Sequence, residues 1–155
     1  TSLCMSIPNL YAFLGNVASE PLGKAGVIFA GGVVLMLLYV LYRKPYVITP
    51  EILVTMGLLF AILLPFILPH MHERYYFLAD IVSVIFAFYF PRKVYTAAIM
   101  CGASACATAN YLFGLAYYPQ QLLAVAVFIN LILLAKHLWD LLSNSPVQRP
   151  AGVTA

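Results

Sequence analysis

His70, His72, Glu73, Arg74 and Asp80 fall within eleven residues of a chain otherwise poor in ionisable groups. They belong to the run Pro69-His70-Met71-His72-Glu73-Arg74-Tyr75-Tyr76-Phe77-Leu78-Ala79-Asp80. One use of this set is to hold an anion. A guanidinium grips two phosphate oxygens and keeps its charge, and the imidazoles of His70 and His72 add donors beside Arg74. Glu73 would then orient a histidine or accept from sugar hydroxyls. A second use is a metal, but the order is not the His-Glu-x-x-His of helical zinc hydrolases, and histidines two apart leave a helix on different sides. No metal is assigned here. The plainest use is an anchor, with Arg74, Tyr75 and Tyr76 snorkelling at a membrane boundary. Asp80 lies deeper. A carboxylate inside a membrane is costly and is expected to face the bundle, either serving a site or pairing with Arg74 or a tyrosine hydroxyl. Glu73 and Asp80 are seven residues apart and share a helix face if the helix already runs at Glu73.

The elements that must position these residues are apolar. The 155-residue chain is 64% hydrophobic and only 8% charged, too few charges to cover a water-exposed surface, so an integral membrane protein is expected. Its net charge of +3 gives no reason to expect a nucleic-acid partner. Five runs come close to the length a bilayer crossing needs: 25–42, 52–68, 76–90, 94–117 and 122–139. They show no period-2 alternation, so helices are expected and not a barrel. The predicted fold is an all-α polytopic transmembrane helix bundle over residues 1–142, followed by a disordered cytoplasmic tail at 143–155. Arg43, Lys44, Arg92, Lys93, Lys136 and Arg149 fall on one side of this topology, and Lys24 and Arg74 on the other. That bias puts the first side in the cytoplasm and the His70–Arg74 cluster outside, in a bacterial inner membrane or an endomembrane.

The segment Ser6-Ile7-Pro8-Asn9-Leu10-Tyr11-Ala12-Phe13-Leu14 is apolar and aromatic but too interrupted to span. It reads as a short interfacial helix on the extracytoplasmic side, able to form one site with the cluster. It lacks the basic start of a signal peptide. An odd number of spans with an outside start leads to the expectation that a further part of the protein precedes this chain. Gly26-x-x-x-Ala30-Gly31 and Gly102-Ala103-Ser104-Ala105-Cys106-Ala107-Thr108-Ala109 read as close helix-packing faces, with Cys101 and Cys106 as packing residues. Asn110 and Asn130 are expected to make interhelical hydrogen bonds. Glu20, Glu51, His137 and Asp140 lie at span ends and read as solvated.

The Pro69–Asp80 run resembles the Met-His-Glu-Arg-Tyr-Phe-type motif of membrane-embedded glycosyltransferases of the GT-C superfamily, above all bacterial proteins related to the second mannosyltransferase of GPI-anchor synthesis. Pro8-Asn9-Leu10-Tyr11 is similar to an Asn-Ala-Pro-Asn-Leu-Tyr segment of that group, with Ser6-Ile7 standing in place of Asn-Ala. The resemblance covers roughly residues 6–91. It implies transfer of a sugar from a polyprenyl- or dolichyl-phosphate donor on the extracytoplasmic side. Donor phosphate and sugar contacts would fall to His70, His72, Glu73, Arg74, Tyr75 and Asp80, supported by Pro8, Asn9 and Tyr11. The family's catalytic acid normally lies in its first extracytoplasmic loop, which has no match here. The chain therefore resembles a carboxy-terminal portion, and within it Glu73 and Asp80 are the candidates for a catalytic group. An upstream half or companion membrane subunit is the expected partner, beside membrane lipid and the lipid-linked donor. The chain itself calls for no cofactor, though a divalent metal is compatible with the complete enzyme. Two other classes stay open: a non-catalytic membrane subunit or assembly factor, and a transport or proton-relay protein. The relay lacks polar stations deeper in the spans.

Overall fold

Apolar runs without alternation satisfy their backbone internally, and the chain accordingly folds into helices. The computed structural model describes residues 4–5, 7–14, 20–113 and 119–145, with 4, 5 and 73 described by their backbone. The expected tail beyond residue 145, Arg149 within it, and residues 114–118 of the fourth predicted span lie outside the described residues. The helices are α1 (Glu20–Arg43), α2 (Pro50–Ile67), α3 (Phe77–Tyr89), α4 (Val94–Phe113) and α5 (Gln120–Asn144).

Their limits follow local chemistry. Thr49 is extended, its hydroxyl accepts from the Ile52 amide at 3.4 Å, and Pro50 starts α2 without wasting a donor. Phe90 leaves the helical region (φ −128°, ψ 73°) because Pro91 follows it. The corner to α4 is the 3₁₀ turn Pro91–Lys93.

Among the described residues three helices, α1, α2 and α5, are long and apolar enough to cross a membrane. The expected five spans are met to that extent. α3 has 13 residues, and at about 1.5 Å per residue it covers only about 20 Å of a core about 30 Å thick. α4 has 20 residues, but its serine, threonines, asparagine and tyrosines dilute its hydropathy.

α2 is central, packing on α3 and α5, while α4 packs on α3 and α5. Ile52, Leu58, Ile62, Phe86, Met100, Val127 and Leu134 form the fully buried centre. Phe66 and Phe128 stack across α2 and α5 with centroids 5.9 Å apart. As expected, Asn130 ties two helices: its Nδ2 donates to the Thr96 carbonyl at 3.2 Å, and both residues are buried. The close face of α4 runs through Met100, Ala103, Ser104 and Ala107, whereas Gly102 meets open space. On α1, Gly26 and Ala30 are buried and Gly31 is open.

α1 stands apart from the other helices. Only 17% of its apolar window is buried, against 50% for α2. Along its length an apolar groove of about 340 Å³ lies between α1, α2 and α5, lined by Leu10, Phe29, Val33, Leu63, Phe66 and Phe128 among others. The far end of α1 is latched. Lys44 Nζ sits 3.3 Å above the Trp139 ring and donates to Ser143 Oγ at 3.0 Å.

Those contacts sort the charges. Lys44 joins the end of α1 to that of α5, and the Phe90 ring, 4.6 Å from His137, brings the end of α3 there too. Arg43, Lys44, Arg92, Lys93 and Lys136 therefore share one end of the bundle. The His137 expectation needs correction. Its ring is half-buried, edge-on to Phe86 and Phe90, because Phe86 of α3 and Phe90 just beyond its end reach it from across the interface.

Candidate functional site

The site end is built from the carboxyl terminus of α2 upward. The last carbonyls of a helix have no partner inside it. Here the Tyr11 hydroxyl donates to the Ile67 carbonyl at 3.0 Å. Tyr11 belongs to the 3₁₀ turn Leu10–Phe13, capped by Asn9, whose Oδ1 accepts from the Tyr11 amide at 3.1 Å. Burial pushes the Tyr11 phenol pKa up, so it stays a protonated donor at neutral pH. Its ring lies against α1 where Gly26 gives it room, since a Cβ there would collide with the Tyr11 hydroxyl. Gly26 thus admits a side chain from the amino-terminal segment, a use of the small residue that helix spacing alone does not reveal.

Beyond Ile67 the chain turns through Leu68, Pro69 and His70. His70 has φ 59°, a left-handed conformation that a residue with a Cβ adopts at some cost. Met71–His72 then pairs in parallel with Cys4–Met5, joining Cys4 to Met71 and Met5 to His72. Next comes the 3₁₀ turn Glu73–Tyr76, and the α-helix begins only at Phe77. Glu73 therefore precedes α3, and the expected α-helical face shared with Asp80 does not form. A tighter turn wins because the chain must reverse from the strand pairing into α3 within four residues.

Tyr76 locks the arrangement. It is fully buried, and its hydroxyl donates to the Pro8 carbonyl at 2.9 Å. Ile7, Asn9, Tyr11 and Ala12 are buried with it. The two segments singled out in the sequence are thus one structural unit, held by two tyrosine hydroxyls and a strand pairing. The sequence signalled the unit only through the presence of both motifs. Cys4–Met5 and the anchoring role of Tyr76 carried no separate signal.

The unit displays a polar rim. Arg74 and His70 are exposed, His72 is half-buried, and Tyr75 is 49% exposed. The His72 and Tyr75 rings lie 6.4 Å apart. The side chain of Glu73 is outside what is described. Among the described residues no group of three histidines, cysteines or acids is placed to hold a metal ion. Leu10, on the same unit, lines the upper part of the apolar groove between α1, α2 and α5.

Asp80 takes a different direction from the rim. Its carboxyl faces Ser104 of α4, and its Oδ1 is buried without a hydrogen-bond partner among the described residues. Nearby, the Ser83 hydroxyl donates to the Asp80 carbonyl at 2.7 Å and lies 3.8 Å from Cys101 Sγ. These residues make a small polar seam between α3 and α4. Cys101 and Cys106 are free thiols. Comparison with known proteins finds no protein-family model, no curated protein and no solved structure that matches this chain.

Proposed function

We propose that this chain is part of a membrane-embedded glycosyltransferase that takes a sugar from a polyprenyl-phosphate-type donor at the extracytoplasmic face. The observation that carries the reading is the union of the Pro8–Tyr11 and His70–Tyr76 segments into one unit, with a cationic rim above and an apolar groove beside it. A lipid-phosphate sugar needs both features at one place: donors for its phosphate at the water boundary, and an apolar track for its chain. Arg74 is the phosphate contact, because its fork holds two oxygens and its charge does not titrate. His70 and His72 add donors, Tyr75 offers a ring to a sugar face, and Glu73 accepts from hydroxyls or orients a histidine. Asp80 acts from the α3–α4 seam, positioning the helix that carries the rim. Five crossings are part of the reading, with the short α3 completed by its two flanking 3₁₀ turns. The basic end is then cytoplasmic.

The catalytic acid is expected from outside these residues, on a further segment or a companion chain. Transfer from a lipid-phosphate donor, measured with that part present, tests the proposal. Arg74→Lys keeps the charge but loses the fork and is expected to cut transfer at least tenfold. Glu73→Gln keeps the shape and is expected to lower it as well. Full activity of both variants would reduce the rim to a membrane anchor.

A further inference from the structure

α1 is fastened to the bundle unequally at its two ends. At the site end the fit is close and made of small residues. Gly23, Gly26 and Ala30 are buried along one face of the helix, and the Tyr11 ring fills the notch at Gly26. Tyr11 is itself tied to the Ile67 carbonyl at 3.0 Å, so this attachment reaches into α2. At the basic end the fastening is one flexible side chain. Lys44 Nζ lies 3.3 Å over the Trp139 ring and donates to Ser143 Oγ at 3.0 Å, and both partners are exposed.

Between the two fastenings the wall is thinly packed. Behind α1 the groove of about 340 Å³ runs on into a second apolar space of about 150 Å³, and the two share Leu37, Leu59 and Ala135. Gly31 and Gly32 tie the middle of α1 to nothing, since a Cβ on either would meet open space. In the far half Leu41 is buried, but it lines the second space and so has room to shift. An interface with unfilled space forfeits the contacts that make a packed core resist displacement. The weakly held part of a structure is the part that opens first.

We infer that α1 is a swinging side wall of the groove, pivoting at Gly26 and held shut at the basic end by Lys44 on Trp139 and Ser143. The stretch from Gly26 to Lys44 is a lever of about 27 Å at about 1.5 Å per residue, so a tilt of about 15° moves its far end by about 7 Å. Release of the Lys44 catch opens the groove sideways at the basic end and leaves the site end closed. The inference requires no occupant in the groove and is independent of the transferase reading.

Electron–electron double resonance between spin labels on the full chain in nanodiscs tests it, with Cys4, Cys101 and Cys106 replaced by serine. One label pair, Tyr42→Cys with Asp140→Cys, spans the basic end. The other, Lys24→Cys with Leu122→Cys, spans the site end, and all four native side chains are exposed. The unsubstituted catch is expected to give one distance at each end. A lysine on an aromatic face holds by about 5- to 30-fold, so Lys44→Met should raise the open population at the basic end by that factor. The new distance there should be longer by about 7 Å, with the site-end distance unchanged. Trp139→Leu should act alike, and the double variant should open no further, because both residues serve one catch. Lys44→Arg keeps a cation for the ring and a donor for Ser143, and should keep the closed distance. The same basic-end distribution with and without Lys44→Met would overturn the inference. So would equal lengthening at both ends, which would mean that α1 leaves the bundle as a whole.

Discussion

Replacing Tyr76 with Phe removes one oxygen and leaves the ring in place. In the native fold that oxygen donates at 2.9 Å to the carbonyl of Pro8, a residue 68 positions away, and Tyr76 is 0% exposed. Without it the Pro8 carbonyl loses this donor in a buried place. An acceptor stranded in this way costs about 1–3 kcal/mol, which corresponds to a roughly 5- to 150-fold rise in opening of the docked segment. The loss is local because α2 to α5 keep their packing. Amide hydrogen exchange in detergent or nanodiscs reads it directly. The Ala12 and Leu14 amides donate to the Asn9 and Tyr11 carbonyls only while the 3₁₀ turn is formed. Their protection should fall by the stated factor in Tyr76→Phe, while amides in the middle of α2 and α5 stay within twofold of wild type. Unchanged protection at Ala12 and Leu14 would refute the claim that this hydroxyl holds the amino-terminal segment on the motif. Equal loss throughout α2 and α5 would refute its locality.

Other substitutions probe the same framework. Gly26→Ala should force Tyr11 away from α1 and lower thermal stability in detergent by about 1–3 kcal/mol, because the new Cβ meets the Tyr11 ring. Asn130→Ala should cost about 1 kcal/mol in an SDS-unfolding titration, through loss of the bond to the Thr96 carbonyl. Lys44→Met should cost about 1–2 kcal/mol and raise accessibility of a probe cysteine at the end of α1, since it removes both the Trp139 stacking and the Ser143 bond. Arg74→Gln should leave folding stability within about 0.5 kcal/mol of wild type, because Arg74 is exposed and no ion pair with Asp80 is formed among the described residues.

The helices were legible because long apolar runs bounded by Pro50, Pro91 and Pro119 leave little else for the backbone to do. Asn130 was legible for the same reason: a polar amide in an apolar run must find a partner on a neighbouring helix. The start of α3 was not. Whether Glu73–Tyr76 continues the helix or tightens into a 3₁₀ turn depends on the strand pairing of Met71–His72, a contact with residues near the other end of the sequence. Asp80 illustrates the same limit. Its position inside an apolar helix signalled a partner, and Arg74 or a tyrosine hydroxyl was the expectation; that its carboxyl faces Ser104 instead depends on where α4 packs. His137 looked solvated from its place beside Lys136, and only the approach of Phe86 and Phe90 half-buries it. For the candidate site, the two motifs and their common side were readable from residue types and charge bias. The tyrosine hydroxyls that weld them were not, since each bond joins carbonyls and rings more than fifty positions apart.

Binding of radiolabelled polyprenyl phosphate to the full chain in nanodiscs is the most direct measurement of the account. The donor site requires saturable binding by wild type, weakened at least tenfold in Arg74→Lys, where the charge persists and the two-pronged grip is lost. Leu10→Trp, which places bulk in the apolar groove, should weaken it too while leaving a soluble phosphate monoester unaffected. Absence of saturable binding to wild type, or equal affinity in wild type and Arg74→Lys, would contradict the claim that this end of the bundle holds a lipid phosphate.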